Sequence, residues 1–300
     1  MSLKKPNPHR KGGQCARLRR QSVTFRRLTG VSVEKFDQLL LQLEPIYAQS
    51  EVKRLNRRQA TAPRQRAIGG GRNFDLPLCD RLLALLMYYR FYTSHAFVGF
   101  VFHVDARTIG RTIKGLEPLL AQIFRIPERK LKLSEQDKEE IEQLFFDATE
   151  QPTQRPKNKG EQKRHYSGKK KRHTLKHQAV TDQKGRIRAV SRAYPGRVHD
   201  KKVYDREQVD APPDVERKGD SGYQGSDLHT PYKKPRGGTL SDEQKAHNRQ
   251  HASERIEIEH SFGHMKIWAI VAHRYRNARS RHTLIFKNVA GLHNLMFANT

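Results

Sequence analysis

The sequence predicts a mixed α/β chain in two parts, helices first and then a sheet flanked by helices. Three observations carry this. Between Leu78 and Leu120 apolar residues recur every three or four positions, the period of a helix. From Ile141 onward short apolar or alternating runs, separated by Gly and Asp turns, replace that period, as strands do. Between Arg255 and Ala269 the helical period returns, with Ile258, Phe262, Met265 and Ala269 on one face. Three hundred residues are enough for one large domain or two ordinary ones with a real core.

Charge narrows the function classes. Lys and Arg number 59 against 31 acidic residues, a formal charge of +28. Such an excess calls for a polyanionic partner, and nucleic acid is the leading one. A membrane is disfavoured, because no run of about 18 apolar residues exists and no signal peptide opens the chain. The expected location is the cytoplasm, in association with the nucleoid. The two cysteines, Cys15 and Cys79, lack metal-ligand spacing and read as incidental thiols in a reducing compartment.

Taken in order, residues 1–27 hold nine Lys/Arg and no acid, broken by Pro6, Pro8, Gly12 and Gly13, and read as a flexible basic arm. A helical domain over residues 28–127 is expected next. Its first helix runs from Thr29 to Leu43 with Val33, Phe36, Leu40 and Leu43 inward. Lys53 to Arg72 is a second basic stretch whose Gly69, Gly70 and Gly71 lack the lysine and Ser/Thr of a phosphate-binding loop. Leu78, Leu82, Leu85, Leu86 and Tyr89 then form one helical face. His95–Phe102 is a short second helix, and Asp105 caps a third after the turn at His103 and Val104. In that third helix Ile109, Ile113, Leu116 and Leu120 face inward, while Arg107, Arg111 and Lys114 point outward. A basic outer face suits the DNA major groove; an ordinary packed trihelical bundle is the alternative, since Gly110, Gly115 and Pro118 each disfavour a long helix.

Pro127 to Leu133 reads as a linker, and a second domain over residues 134–300 opens at a capped helix, Ser134-Glu135-Gln136-Asp137. The run Ile141 to Phe146 is a buried strand that ends on Asp147, delivering a carboxylate to the sheet edge. From Gln151 to Lys176 ten Lys/Arg stand against the single Glu161, predicting a mobile basic loop or hairpin that includes Lys169, Lys170, Lys171 and Arg172. A hairpin follows, His173–Thr181 with Arg186–Arg192, with Leu175, Ala179, Ile187 and Val190 inward. After a helix from His199 to Gln208, a strand from Val215 ends on Asp220 and a glycine turn at Gly222. His199-Asp200 reads equally as a ligand-orienting pair or a turn device. In the last motif Arg255, Glu259 and Lys266 share a helical face. His260 and His264 have the spacing of a zinc pair, but Ser261 stands where zinc proteases carry glutamate.

Asp147, Asp220 and Glu259, with these surroundings, resemble the acidic triad of DDE transposases, in the insertion-sequence branch related to Harbinger elements. The block Asp220-Ser-Gly222-Tyr223 matches that family's D-x-G-(F/Y), and Arg255, Glu259 and Lys266 fall at the spacings of its Y-x2-R-x3-E-x6-K, with Ala252 in the tyrosine position. The resemblance covers roughly residues 28 to 300. It implies a ribonuclease-H-like catalytic domain behind a helix-turn-helix DNA-binding region. It also implies two Mg²⁺ (or Mn²⁺) ions held by Asp147, Asp220 and Glu259, and phosphate contacts from Arg255 and Lys266. The implied activity is cleavage at the ends of an insertion element and joining of the 3′-OH ends to target DNA by a homo-oligomer. A transposase-derived regulator without catalysis and a plain metal-dependent nuclease are the alternatives.

Overall fold

The computed structural model describes residues 13–56, 76–131 and 133–297. The triple glycine, most of the second basic stretch and the first twelve residues lie outside them. The chain forms two compact units: residues 1–124 with Trp268–Ile270, and residues 125–267 with 271–300.

Among the described residues the first unit is helical: α1 Gln14–Arg19, α2 Ser22–Thr29, α3 Val33–Asn56, α4 Leu78–Phe91, α5 His95–Phe102 and α6 Ala106–Phe124. Its centre is α4, buried without interruption from Leu82 to Tyr89. A helix apolar on all sides can only be a central one, so the single face expected of it was too narrow. The basic arm is shorter than its charge implied. Cys15 and Phe25 are fully buried, and α2 ends at Thr29 with Gly30 in the left-handed conformation. That glycine stop moves the next helix to Val33, and its inward residues are Phe36, Leu39 and Leu43, with Leu40 only half-buried. Trp268, fully buried, donates its indole N–H to the Thr29 carbonyl at 3.3 Å. The third helix tolerates Gly110, Gly115 and Pro118 because Ile109, Ile113, Leu116 and Leu120 are all at most 1% exposed. Burial of that stripe outweighs the local propensity cost of about 1 kcal/mol per glycine.

The second unit runs α7 Glu135–Glu140, β1 Gln143–Pro152, α8 Lys159–His165, β2 Tyr166–Ser167, β3 Arg172–Asp182, β4 Ile187–Val190, β5 Tyr194–Pro195, α9 Asp200–Glu207, β6 Glu216–Gly219, α10 Asp242–Glu254, α11 Ile256–Met265 and α13 His282–Phe297, while the short α12 Ala269–Ala272 is divided between the two units. In the sheet β3 lies beside β1 and β1 beside β6, while β2, β5 and β4 pair in succession with the other edge of β3. Only the β1–β6 pair is parallel. Leu144, Phe146, Val180, Ala189, Tyr204, Val215 and Tyr223 form a shared core beneath it.

The capping box at Ser134 forms with Asp137. The segment read as a linker is tied into this unit instead: Val190 donates to the Pro127 carbonyl at 2.9 Å, Asp210 to Arg129 at 2.9 Å, and Lys287 pairs with Glu128 at 2.9 Å. The basic stretch after Gln151 is ordered as α8 and the short β2–β3 hairpin, whose turn carries Lys169, Lys170 and Lys171. β3 is buried on both faces from Thr174 to Asp182, so the alternation expected there is replaced by partnered polar groups.

One such group makes stability pH-dependent. His177 in β3 is held by the Ser191 carbonyl and by His282, which reaches Gln151 in turn. Burial pushes His177 down from 6.5 to about 4 and His282 well below its ordinary value. The unfolded chain therefore binds more protons between those limits, and stability is lost as pH falls from 6.5 toward 4. For His177 the loss is at most about 3 kcal/mol. Denaturant unfolding across this range is expected to show that decline, and His177→Gln to flatten it; an unchanged slope contradicts the assignment.

Candidate active site

Pairing register sets the site. β1 and β6 run parallel with Phe146 opposite Gly219, so Asp147 and Asp220 are the next residue on each strand, at the same level where the ladder ends. β6 stops there because Asp220 turns the chain: its carboxylate accepts the Gly222 N–H at 2.8 Å and opens a short 3₁₀ turn, Ser221–Tyr223. A Cβ on Gly222 would lie 2.9 Å from Asp220 Oδ1 and 3.1 Å from Asp200 Oδ2. The missing side chain is what lets two carboxylates approach the same backbone.

Asp147 itself differs from expectation in place. β1 does not end there but continues to Pro152, because β3 pairs with it along the whole length, through Ala148 and the polar Thr149, Glu150 and Gln151. Asp147 is thus a mid-strand residue, firmly held, beside a neighbouring strand that has ended. Burial pushes its carboxyl up to about 6, Arg255 opposes the rise, and Asp220 and Asp200 add to it. Arg255 Nη2 lies 3.8 Å from Asp147 Oδ2. The arginine read as a phosphate ligand therefore faces an acid of the site, since a buried cluster of carboxylates draws the nearest cation inward. Glu259, one turn further along α11, is exposed, as is Lys266 at the end of that helix. Ile258, Phe262 and Met265 seat α11 as its spacing predicts, while Ala269 belongs to the separate α12.

Asp200 is the site residue that sequence reasoning left undecided. It starts α9 and pairs with Lys176 Nζ at 2.6 Å; the same ammonium lies 3.4 Å from Glu150. Lys176 and Glu150 are 7% and 6% exposed, so this is a buried ion cluster inside what read as a mobile basic stretch. Nothing in sequence separates Lys176 from the solvent-facing cations that precede it, since it falls on the face of β3 opposite Leu175 and Ala179. Glu150, Lys176, Asp200, Asp220 and Gly222 line a cleft of about 300 Å³ that Lys169 borders. Lys170, Lys171 and Arg172 are exposed beside it on the hairpin.

Do these residues suit a divalent cation? Carboxylate oxygens are the donors hard cations take. Burial holds the Asp147 carboxyl up at about 6, and the neighbouring Asp220 and Asp200 add to that rise. The Tyr223 hydroxyl and Arg255 Nε are both buried without a hydrogen-bond partner, and the Tyr223 ring senses Asp147, Asp200 and Asp220. The carboxylate oxygens and the unpartnered Tyr223 hydroxyl fit a cation and its water. His260 and His264 are exposed, and His264 packs against the rings of His293 and Phe297.

In the first unit Arg107, Arg111 and Lys114 are all exposed on α6, opposite its buried stripe, and Asp105 accepts the Arg107 N–H at 2.6 Å as the expected cap. No helix among the described residues is long and apolar enough to cross a membrane.

Comparison with known proteins agrees with this layout. Residues 146–294 match the family model described as DDE superfamily endonuclease, and residues 74–126 the one described as helix-turn-helix of DDE superfamily endonuclease. The chain is 30% identical over 281 residues to the "Probable transposase for insertion sequence element IS702" of Microchaete diplosiphon, covering 91% of this chain and 94% of that one. It is also 30% identical over 235 residues to the "Putative transposase for insertion sequence element IS112" of Streptomyces albus G, covering 76% and 84%. No solved structure matches it.

Removing Lys176 leaves Glu150 and Asp200 buried without their cation. Lys176→Met is expected to cost about 3–5 kcal/mol in denaturant unfolding. A loss below about 1 kcal/mol, the range of exposed pairs, contradicts the cluster.

Proposed function

Because the chain belongs to the insertion-sequence transposases of the DDE endonuclease superfamily, a catalytic family that binds DNA and uses divalent metal ions, we propose that it cuts DNA at the ends of its own element and joins the freed 3′-OH ends to target DNA. The observation that carries this is the β1–β6 register, which sets Asp147 level with Asp220 beside a cleft bordered by basic residues.

Asp147, Asp220 and Glu259 would hold two Mg²⁺ (or Mn²⁺) ions, which would supply countercharge to the phosphodiester and its attacking and leaving oxygens. Asp147, fixed in mid-strand, gives the site its rigidity. Arg255 offsets the clustered acids through Asp147, and Lys176 holds Asp200 in place at the cleft wall. Lys169, Lys170, Lys171 and Arg172 grip the sugar-phosphate backbone near the reacting bond, and Lys266 adds a cation on α11. Arg107, Arg111 and Lys114 carry α6 into the major groove, a role supported by their shared exposure on one face. Two ends must be processed together, so the working form is a homo-oligomer on DNA.

Asp220→Ala is expected to abolish cleavage and joining while leaving binding to element-end duplex within a few-fold of wild type, measured by gel shift and strand-cleavage assays in Mg²⁺ and in EDTA. Undiminished cleavage by this variant sinks the assignment. Arg111→Ala is expected to weaken duplex binding and to lower the slope of log affinity against log salt by about 1. An unchanged slope removes Arg111 from the phosphate-contacting face.

A further inference from the structure

Spacing gave the two cysteines no partner, yet the fold of the first unit brings them together. Cys15 lies in α1 and Cys79 in the first turn of α4, next to Asp80. One ligand atom from each of the three lies within 4.8 Å of the other two, the only His/Cys/Asp/Glu group so arranged among the described residues. Asp80 is 3% exposed, and its Oδ1 accepts the Cys15 backbone N–H at 2.8 Å. Gly13 approaches so closely that a Cβ there would lie 2.4 Å from Asp80 Oδ2. Residues 13–15 are thus wrapped around a buried carboxylate. Cys15 is fully buried, whereas Cys79 is partly exposed and leaves an approach from solvent.

Cys79 sits in the N-terminal turn of a 14-residue helix, where a thiolate is favoured. Two thiolates and one carboxylate are a donor set for a borderline-soft ion, in contrast to the all-oxygen set around Asp147. Tetrahedral zinc with Zn–S bonds of about 2.3 Å needs sulfurs roughly 3.8 Å apart, within the spacing seen.

We propose that Cys15, Cys79 and Asp80 form a Zn²⁺-class site that pins α1 to α4. On binding, two S–H bonds break, two metal–sulfur bonds form, and both protons pass to solvent. Asp80 supplies the third donor, and water entering past Cys79 supplies the fourth. The ion stabilises the helical unit and takes no part in cutting DNA.

The test uses full-length, metal-free protein under reducing conditions, titrated with Co²⁺. Thiolate-to-cobalt charge-transfer absorption can arise only at these residues, because the chain has no other cysteine; cobalt at carboxylates gives none. The band is expected to saturate at one Co²⁺ per chain, to be displaced by Zn²⁺, and to vanish in Cys79→Ser. Zn²⁺ is also expected to raise the Tm of wild type by several degrees and that of Cys79→Ser not at all. A folded, reduced wild type without the band overturns the proposal, as does a Zn²⁺-induced Tm shift of equal size in both proteins. Cys79 is partly exposed, so its serine variant should fold; if it does not, Asp80→Asn serves, with a shifted, weaker cobalt band expected and an unaltered one contradicting the site.

Discussion

The parallel pairing of β1 with β6 is the constraint on which the catalytic unit depends. Those strands can lie side by side only with a crossover between them, and β3, β4, β5 and α9 fill that interval. Phe146 and Tyr223 meet α9 through Tyr204, with ring centroids 5.3 and 6.1 Å from it. The same ladder that fixes the core therefore also fixes Asp147 against Asp220. A one-residue slip would turn one of the acids to the opposite face of the sheet. Position of charge and position of core are thus one decision.

Holding carboxylates together has an electrostatic cost, and the surroundings show how it is met. Arg255 lies beside Asp147, and Asp200 is paired with Lys176. Each device lowers repulsion without closing the cleft. The exposure of Glu259 and the unpartnered Tyr223 hydroxyl fit a site that a cation completes.

Much of this was legible in the residues. Asp220-Ser-Gly222-Tyr223 is local chemistry, an acid that caps its own turn, and it forms as read. The outward face of α6 follows from a spacing of four and three against a buried stripe, and tertiary packing only strengthens it. What failed to show was long-range. Asp147 read as the end of a strand because the apolar run stops at Phe146, whereas pairing with β3 carries the strand on through polar residues. Lys176 read as one more loop cation because nothing local reveals Asp200 and Glu150. Cys15 and Cys79 read as unrelated for the same reason, and Trp268 gave no sign that it belongs with the helices.

The most direct test of the central claim is iron-mediated cleavage of the protein's own backbone. Fe²⁺ in place of Mg²⁺, with ascorbate and peroxide, generates radicals that cut the chain beside the residues holding the ion. The account predicts cuts near Asp147 and near Asp220 that excess Mg²⁺ suppresses and that Asp220→Ala weakens. Cutting elsewhere only, or cuts at these positions that Mg²⁺ leaves untouched, would contradict a divalent-cation centre built on the β1–β6 register.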